Sequence, residues 1–266
     1  MRNRTLVAGL VLVLLLLAAG LVSLAWTPHD VGAIDVAQRL GPPSLSHPLG
    51  TDQLGRDLLS MLMVGARVSL AVSVLAVGAA VVVGTAAGLA AAAAPGPVDE
   101  LLMRGGDLVF AFPSLLTAIL LSAVLGPGAL NAVLAIAVFN VPVFARMARG
   151  AAAGLWSRDF VAAARLAAKG RVRISLEHIL PNILPIVVVQ ATIQFSLALI
   201  AEAGLSYVGL GVQPPSPSWG RMLADAQTLL GIAPRLAVLP GLAILFAVLG
   251  FTLLGDGLRD VLDRRA

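Results

Sequence analysis

The 266-residue sequence contains no cysteine, and only 12% of its residues are charged. The lack of cysteine excludes a disulfide framework and thiolate metal sites. The single lysine, Lys169, does not belong to a GxxxxGK[ST] phosphate-binding loop, and the HExxH and GxSxG motifs are also absent. We therefore expect no catalytic residue, no enzymatic activity and no ATP hydrolysis in this chain.

Hydrophobic residues dominate what is present: they make up 59% of the chain, and the mean hydropathy is +0.96. A soluble domain of this size has no means of burying so much apolar surface, so the composition indicates an integral membrane protein whose partner is the lipid bilayer. The formal net charge of +4 does not indicate nucleic-acid binding, because the basic residues cluster on one predicted side of the membrane.

Six apolar segments are predicted to cross the membrane as helices. They occupy residues 6–26, 68–94, 105–126, 129–148, 183–212 and 236–254. The predicted fold is therefore all-α and polytopic. Its predicted parts are an N-terminal transmembrane helix (1–26), an external segment (27–67), a core of five transmembrane helices (68–257) and a cytoplasmic tail (258–266).

The distribution of arginine and lysine predicts the orientation of these helices. With both termini in the cytoplasm, thirteen basic residues fall in internal segments and five in external ones, as the positive-inside rule requires. The internal residues are Arg2, Arg4, Arg104, Arg146, Arg149, Arg158, Arg165, Lys169, Arg171, Arg173, Arg259, Arg264 and Arg265. The external residues are Arg39, Arg56, Arg67, Arg221 and Arg235.

Glycine and proline predict two local features of the spans. Gly84 and Gly88 form a GxxxG pattern in the second span, with Gly78 upstream, and this pattern permits close helix packing in lipid. Pro113 is expected to kink the third span, because proline removes a helical hydrogen bond.

Residues 155–182, between the fourth and fifth spans, form a basic segment. Arg158, Arg165 and Lys169 are spaced seven and four residues apart, so a continuous helix would place them on one cationic face together with Ala162. Such a helix can be a solvated loop, a lipid headgroup anchor or a docking surface for a soluble partner. The residues alone leave all three open.

This segment resembles the cytoplasmic coupling loop of binding-protein-dependent ABC importer permeases. The family pattern is Glu-Ala-Ala, three residues, Gly, nine residues, then Ile-x-Leu-Pro. The matching residues are Ala163, Ala164, Leu180 and Pro181. The Glu, Gly and Ile positions are occupied by Ala162, Ala168 and His178. The resemblance implies the type I permease fold and a coupling helix that rests on a separate ATPase. Because the usual acid is replaced by Ala162, we expect the cationic face to contact an acidic groove on that ATPase.

Three further strings resemble the dipeptide, oligopeptide and nickel branch, in particular its C-type subunit. They are HPLGTDQLGRD (47–57), AEAGLSYVGLGVQPPSPSWG (201–220) and LLGDGLRD (253–260). The resemblance implies one membrane subunit of an ATP-driven importer for short peptides in the bacterial inner membrane. Implied partners are a second homologous permease, cytoplasmic ABC ATPase subunits that bind ATP and Mg²⁺, and an extracytoplasmic peptide-binding protein.

The solute stays open at this point. Nickel, glutathione or another small solute would suit a member of the same branch, and an ion-gradient-driven secondary transporter is the alternative from a different class. No cofactor is expected in the chain itself.

Polar residues inside the predicted spans are the candidates for a translocation pathway or gate, because burying them in lipid is costly. They are Asn140, Gln190, Gln194 and Glu202. Gln190 and Gln194 share a helix face, and Glu202 follows two turns later. A structural hydrogen bond to a neighbouring helix is the alternative interpretation of each.

The external string contains four residues that we single out: His47, Asp52, Arg56 and Asp57. We expect ion pairs among Asp52, Arg56 and Asp57 to hold this loop together. One histidine with two acids also has the composition of a metal site, but we interpret this set as structural and expect no metal there.

Overall fold

The computed structural model describes residues 4–263, and that part of the chain is built from helices. The first five are α1 (Arg4–Val22), α2 (Leu58–Ala93), α3 (Pro97–Phe110), α4 (Ser114–Leu125) and α5 (Ala129–Ala153). The others are α6 (Asp159–Leu166), α7 (Arg171–Ile174), α8 (Leu180–Tyr207), α9 (Trp219–Ala226) and α10 (Arg235–Asp263). A π-helical turn, Ser175–Ile179, joins α7 to α8, and short 3₁₀ turns occupy Val36–Gln38 and Gln227–Leu229. The prediction of an all-α polytopic membrane protein is confirmed.

Within residues 4–263, five helical stretches are long and apolar enough to cross a bilayer: α1, α2, α5, the continuous helix from α7 through α8, and α10. The predicted third span, 105–126, differs because it is divided into α3 and α4. Pro113 has no N–H group and disfavours the helical conformation of the residue before it, Phe112. The kink expected at Pro113 is therefore a complete break in the helix.

Helix α2 begins at Leu58, so part of the segment predicted to be external is helical. The Asp57 side chain caps this helix by accepting a hydrogen bond from the backbone N–H of Ser60. Leu58 and Met61 are buried in the first turn against the core. With 36 residues and a rise of about 1.5 Å each, α2 is about 54 Å long.

Helix α2 packs most extensively against α5, and glycine makes this contact close. A Cβ atom on Gly88 would lie 2.8 Å from Ala148 Cβ, and one on Gly84 would lie 2.7 Å from Phe144 Cβ. The predicted role of the GxxxG pattern is confirmed. Apart from its own helix, Gly78 has no atom of the described residues within 4 Å of the Cβ position, and it takes no part in this contact.

The connecting segments meet at two opposite ends of the bundle. At the loop end (27–57, 126–128 and 208–234), Arg235 Nη2 donates to the carbonyl of Leu40 at 2.7 Å, and Gly128 N donates to the carbonyl of Leu210. At the coupling end (94–96 and 155–182), Val161 and Ala164 of α6 belong to the same buried cluster as Leu89 and Ala92 near the end of α2. This grouping agrees with the predicted pairing of the loops. Arg2, Arg264 and Arg265, which contribute to the predicted charge bias, lie outside the described residues.

Ion pairs attach α3 to α5 near the coupling end. Arg149 donates to both carboxylate oxygens of Asp99, and Arg146 pairs with Asp107. The hydrogen bonds from Arg149 hold the pKa of Asp99 below its usual range. Two arginines that count toward the predicted internal charge therefore also fasten the broken third span.

Candidate functional site

A cavity of about 430 Å³ lies between α4, α5 and α8. Its lining is mainly apolar, as Ala118, Phe139 and Leu197 illustrate. Among the described lining residues, only Asn140 of α5 and Gln194 of α8 carry polar side chains. Two of the four predicted pathway residues are thus brought together in one cavity by helices that are far apart in the sequence.

Asn140 is held in place within its own helix. Its Nδ2 donates to the carbonyl of Ile136, one turn earlier, at 2.8 Å, and the side chain is almost fully buried. Gln194 is buried to a similar degree on the facing helix. Each amide side chain has both donor and acceptor groups, so the pair can contact neutral polar solutes without placing a net charge in the cavity.

The other two candidates lie elsewhere on α8. Gln190 precedes Gln194 by one turn, is partly buried and does not line the cavity. Glu202 is fully buried, and its Oε1 accepts a hydrogen bond from Ser206 Oγ at 2.7 Å. The side chains of Ser69 and Ser218 also face its carboxyl group. Glu202 therefore sits where α2, α8 and the start of α9 meet.

Trp219, which is not among the site residues predicted from the sequence, completes that junction. Its backbone N–H donates to Ser69 Oγ at 3.2 Å, its indole N–H donates to the carbonyl of Leu62 at 3.1 Å, and the residue is 1% exposed. The preceding Ser218 caps α9 by accepting from Arg221 N. A serine before an aromatic residue at a helix start is a detectable capping signal.

The coupling segment is not one continuous helix. Helix α6 ends at Leu166, and Lys169 lies beyond it, so the prediction of a single cationic face containing Lys169 is wrong. Lys169 Nζ lies 2.7 Å from Glu177 Oε2 and 3.0 Å from His178 Nε2. Arg173 Nε donates to Glu177 Oε1 at 2.6 Å. This clamp ties the turn after α6 to the π-helical turn before α8.

Ala168 explains where α6 ends. Its φ is +56°, in the left-handed region that disfavours residues with a Cβ atom. Ala168 occupies the glycine position of the family pattern, and glycine adopts this conformation without a steric penalty. The turn is thus formed here with a residue that is less suited to it.

The outer surface of the coupling segment is more apolar than predicted. Leu166, Val172 and Leu176 are 90%, 74% and 56% exposed. Arg158 precedes the helix without capping it by its side chain, and Arg165 stacks over the Trp156 ring, with its Cζ 5.5 Å from the ring centroid.

The remaining motif positions divide between this surface and the interior. Ala162 and Ala163 are exposed, Ala164 is buried against α2 and α5, and Leu180 and Pro181 form the first turn of α8. The coupling segment therefore presents small, apolar and basic residues outward, while Ala164 anchors α6 to the core.

The external string forms a compact loop at the loop end. Asp52 pairs with Arg56 as expected, at 2.6 Å, and also accepts from the backbone N–H of Leu54. Asp57 differs from expectation, because it accepts from Ser60 and lies 3.0 Å from His47 Nδ1 instead of pairing with arginine.

Burial alone would raise the pKa of Asp57. Hydrogen bonds from Ser60 and His47 and the nearby His29 more than offset burial, so the pKa lies below its ordinary value of 3.8. Asp57 is therefore an ionised, buried carboxylate that combines helix capping with contacts to histidine.

Comparison with known proteins identifies the family. Residues 80–266 match the family model described as "Binding-protein-dependent transport system inner membrane component". The chain belongs to this family. As a binding-protein-dependent permease it is a membrane transport component and not an enzyme, which confirms the resemblance drawn from the coupling segment. Membership also weighs against the ion-gradient-driven alternative.

Relatives of this permease extend the match to nearly its whole length. It is 39% identical to the dipeptide transport system permease protein DppC of Alkalihalophilus pseudofirmus, over 98% of this chain and 86% of the relative. It is 42% identical to the di/tripeptide transport system permease protein DppC of Pseudomonas aeruginosa, over 98% and 88%. It is 40% identical to the glutathione transport system permease protein GsiD of Pectobacterium atrosepticum, over 99% and 88%.

Proposed function

We propose that this permease forms one half of a translocation pathway for short peptides in an ATP-driven importer. The observation that carries the proposal is the cavity that contains Asn140 and Gln194. Their amide groups match the alternating N–H and C=O groups of a peptide, and the apolar walls accommodate side chains of different size. The names of the DppC relatives point to the same class of solute.

A second homologous permease closes the pathway in this proposal. Beside the cavity, α8 exposes Ile193, Leu197 and Ile200 by 42%, 54% and 50%. A partner helix packed there would cover this apolar row and complete the wall of the cavity.

Energy enters at the coupling end. A cytoplasmic ABC ATPase, which carries ATP and Mg²⁺, binds the exposed residues of α6 and α7, including Leu166 and Val172. The Lys169–Glu177 clamp transmits movement of α6 to α8, which carries Gln194. The coupling end then faces the cytoplasm, both termini are cytoplasmic, and an extracytoplasmic binding protein delivers the peptide to the loop end.

Uptake by the assembled transporter tests the pathway. We expect Asn140→Ala and Gln194→Ala to lower the uptake of a labelled dipeptide by about 3- to 10-fold each, the equivalent of one lost hydrogen bond. Gln190→Ala is the matched control, because it removes the same amide one turn away and outside the cavity. Equal uptake by all three variants would contradict the proposed pathway.

Glutathione is the second candidate solute, favoured by the names of the GsiD relatives. Competition separates the candidates: unlabelled dipeptide is expected to displace the label at a lower concentration than glutathione does. The reverse order would assign the permease to glutathione, and competition only by nickel would assign it to the metal.

Docking of the ATPase is tested with a charge on the exposed surface. Leu166→Glu is expected to abolish co-purification of the ATPase and ATP-dependent uptake, because it places a carboxylate in an apolar contact. Leu45→Glu, at a fully exposed leucine of the loop end, is the control for the same substitution. Undiminished uptake by the Leu166 variant would exclude this surface as the docking site.

A further inference from the structure

Two of the three histidines of the chain meet a buried carboxylate at the loop end. His47 Nδ1 lies 3.0 Å from Asp57 Oδ1, and His29 Nδ1 lies 3.8 Å from Asp57 Oδ2. The candidate ligand atoms of the three residues all lie within 4.8 Å of one another. The two imidazole rings are 4.3 Å apart between centroids. The sequence alone groups His47 with Asp52 and Asp57, but in the folded chain Asp52 pairs with Arg56 and His29 takes its place.

The Asp57 carboxylate of this group is held in one orientation, and His29 Nδ1 lacks a hydrogen bond among the described residues. The side chains of Asp57 and His47 are 0% and 10% exposed. Ser60 donates to Asp57 Oδ2 from both its backbone N–H and its hydroxyl, at 2.8 and 2.7 Å, which orients the carboxylate. His29 Nδ1 is buried and has no hydrogen-bond partner among residues 4–263, although the side chain as a whole is 39% exposed. A buried polar atom without a partner is costly, and a bound ligand would remove that cost.

We propose that His29, His47 and Asp57 bind a divalent transition metal ion of the zinc class. Two imidazole nitrogens and one carboxylate oxygen are a ligand set that suits Zn²⁺ and does not suit Ca²⁺ or Mg²⁺, which prefer oxygen. Metal–ligand bonds of about 2.1 Å in a tetrahedral site place the ligand atoms about 3.4 Å apart. With one ligand atom taken from each residue, the three atoms lie within 4.8 Å of one another, so a small movement of the partly exposed His29 ring would bring them to that separation. Water would fill the fourth position, because the His29 side chain is 39% exposed.

The ion would join three parts of the chain that are distant in sequence. His29 follows α1, His47 belongs to the external string, and Asp57 is the cap of α2. Ser60 supports the site from the first turn of α2, where its hydroxyl also accepts from the backbone N–H of His29 at 3.0 Å. The metal therefore fastens the loop end to the helix that runs to the coupling end. The proposed site is formed by side chains of this chain alone and does not depend on the solute.

Metal titration of the intact assembly tests the site. The full chain, purified in lipid nanodiscs with the subunits that accompany it and carrying a tag without histidine, is stripped with a chelator and dialysed. We expect one additional Zn²⁺ bound per copy of this chain by calorimetry, compared with His29→Ala. Co²⁺ is expected to give the visible absorption of a four-coordinate ion with nitrogen and oxygen ligands.

Three variants make the test specific. His29→Ala and His47→Ala are each expected to weaken Co²⁺ and Zn²⁺ binding at least tenfold, while His178→Ala, at the coupling end, leaves it unchanged. His29→Ala keeps the backbone bond to Ser60, and an unchanged melting temperature without metal will show that it folds. Equal Co²⁺ spectra for the parent chain and both loop-end variants would overturn the proposal, as would loss of binding in the His178 variant alone.

Discussion

Replacing Gly88 with alanine measures how closely α2 and α5 must pack. The new Cβ would lie 2.8 Å from Ala148 Cβ and 2.8 Å from Arg149 N, whereas ordinary contact begins at 3.4 Å, so the helices must separate locally by at least about 0.6 Å. Forced separation of a packed interface costs about 1–3 kcal/mol. The carbonyl of Ala145 is nearer still, and a backbone atom has little freedom to move aside.

Gly78→Ala is the matched control for this substitution. The same change in the same helix meets no atom within 4 Å, so it contributes only the gain in helix propensity, about 1 kcal/mol. That gain is common to both variants and cancels in the comparison. The difference in stability between them therefore gives the packing cost alone.

Thermal unfolding of the two purified variants in nanodiscs is the assay. We expect the Gly88 variant to melt several degrees below the Gly78 variant, with the Gly78 variant equal to or above the parent chain. Gly84→Ala should behave like Gly88→Ala, because its Cβ would lie 2.7 Å from Phe144 Cβ. Coincident melting curves for the Gly78 and Gly88 variants would refute the assignment of this interface.

Three further outcomes are expected. Ala168→Gly should raise the stability by about 1 kcal/mol, because it relieves a left-handed conformation at φ +56°, whereas Ala167→Gly should lower it; thermal unfolding compares them. Lys169→Ala and Glu177→Ala should each reduce ATP-dependent uptake, and the double variant should be no worse than either single one if they act through one clamp. As a helix cap, ionised Asp57 should stabilise the fold by about 1 kcal/mol at neutral pH. Because the pKa of Asp57 is lowered in the folded state, this stabilisation is present above pH 3.8 and is lost as the pH falls through the folded-state pKa. Unfolding of Asp57→Ala at neutral pH should show the same loss of stability.

The sequence predicts those features that depend on composition and spacing along one helix. Apolar segments of membrane length reveal the helices, and the four-residue spacing of Gly84 and Gly88 reveals a closely packed interface. The basic segment of 155–182 and its partial match to the coupling pattern place it at one end of the bundle with the other short internal loop.

Features that depend on the balance between local helix propensity and contacts distant in sequence are harder to predict. Helix α6 ends because the chain turns at Ala168, and a residue with good helix propensity gives no sign of such a turn. The cluster at Asp57 joins residues 29, 47 and 57 across a loop without regular periodicity, so its membership could be read only from the folded chain. Glu202 is an ionisable residue in an apolar helix, which is typical of a pathway residue. Only the positions of Ser69 and Ser218 in the folded chain place it in a junction away from the cavity.

The Lys169–Glu177 clamp has a practical consequence for experiments on the working transporter. Because Lys169 is the only lysine, any reagent that acylates lysine side chains can modify this subunit at one side chain, which is 26% exposed and bonded to Glu177. The rate of that modification reports how often the turn between α6 and α8 opens. A single mass-spectrometric peak can thus follow the movement of the coupling segment through a transport cycle, with no engineered label in the protein.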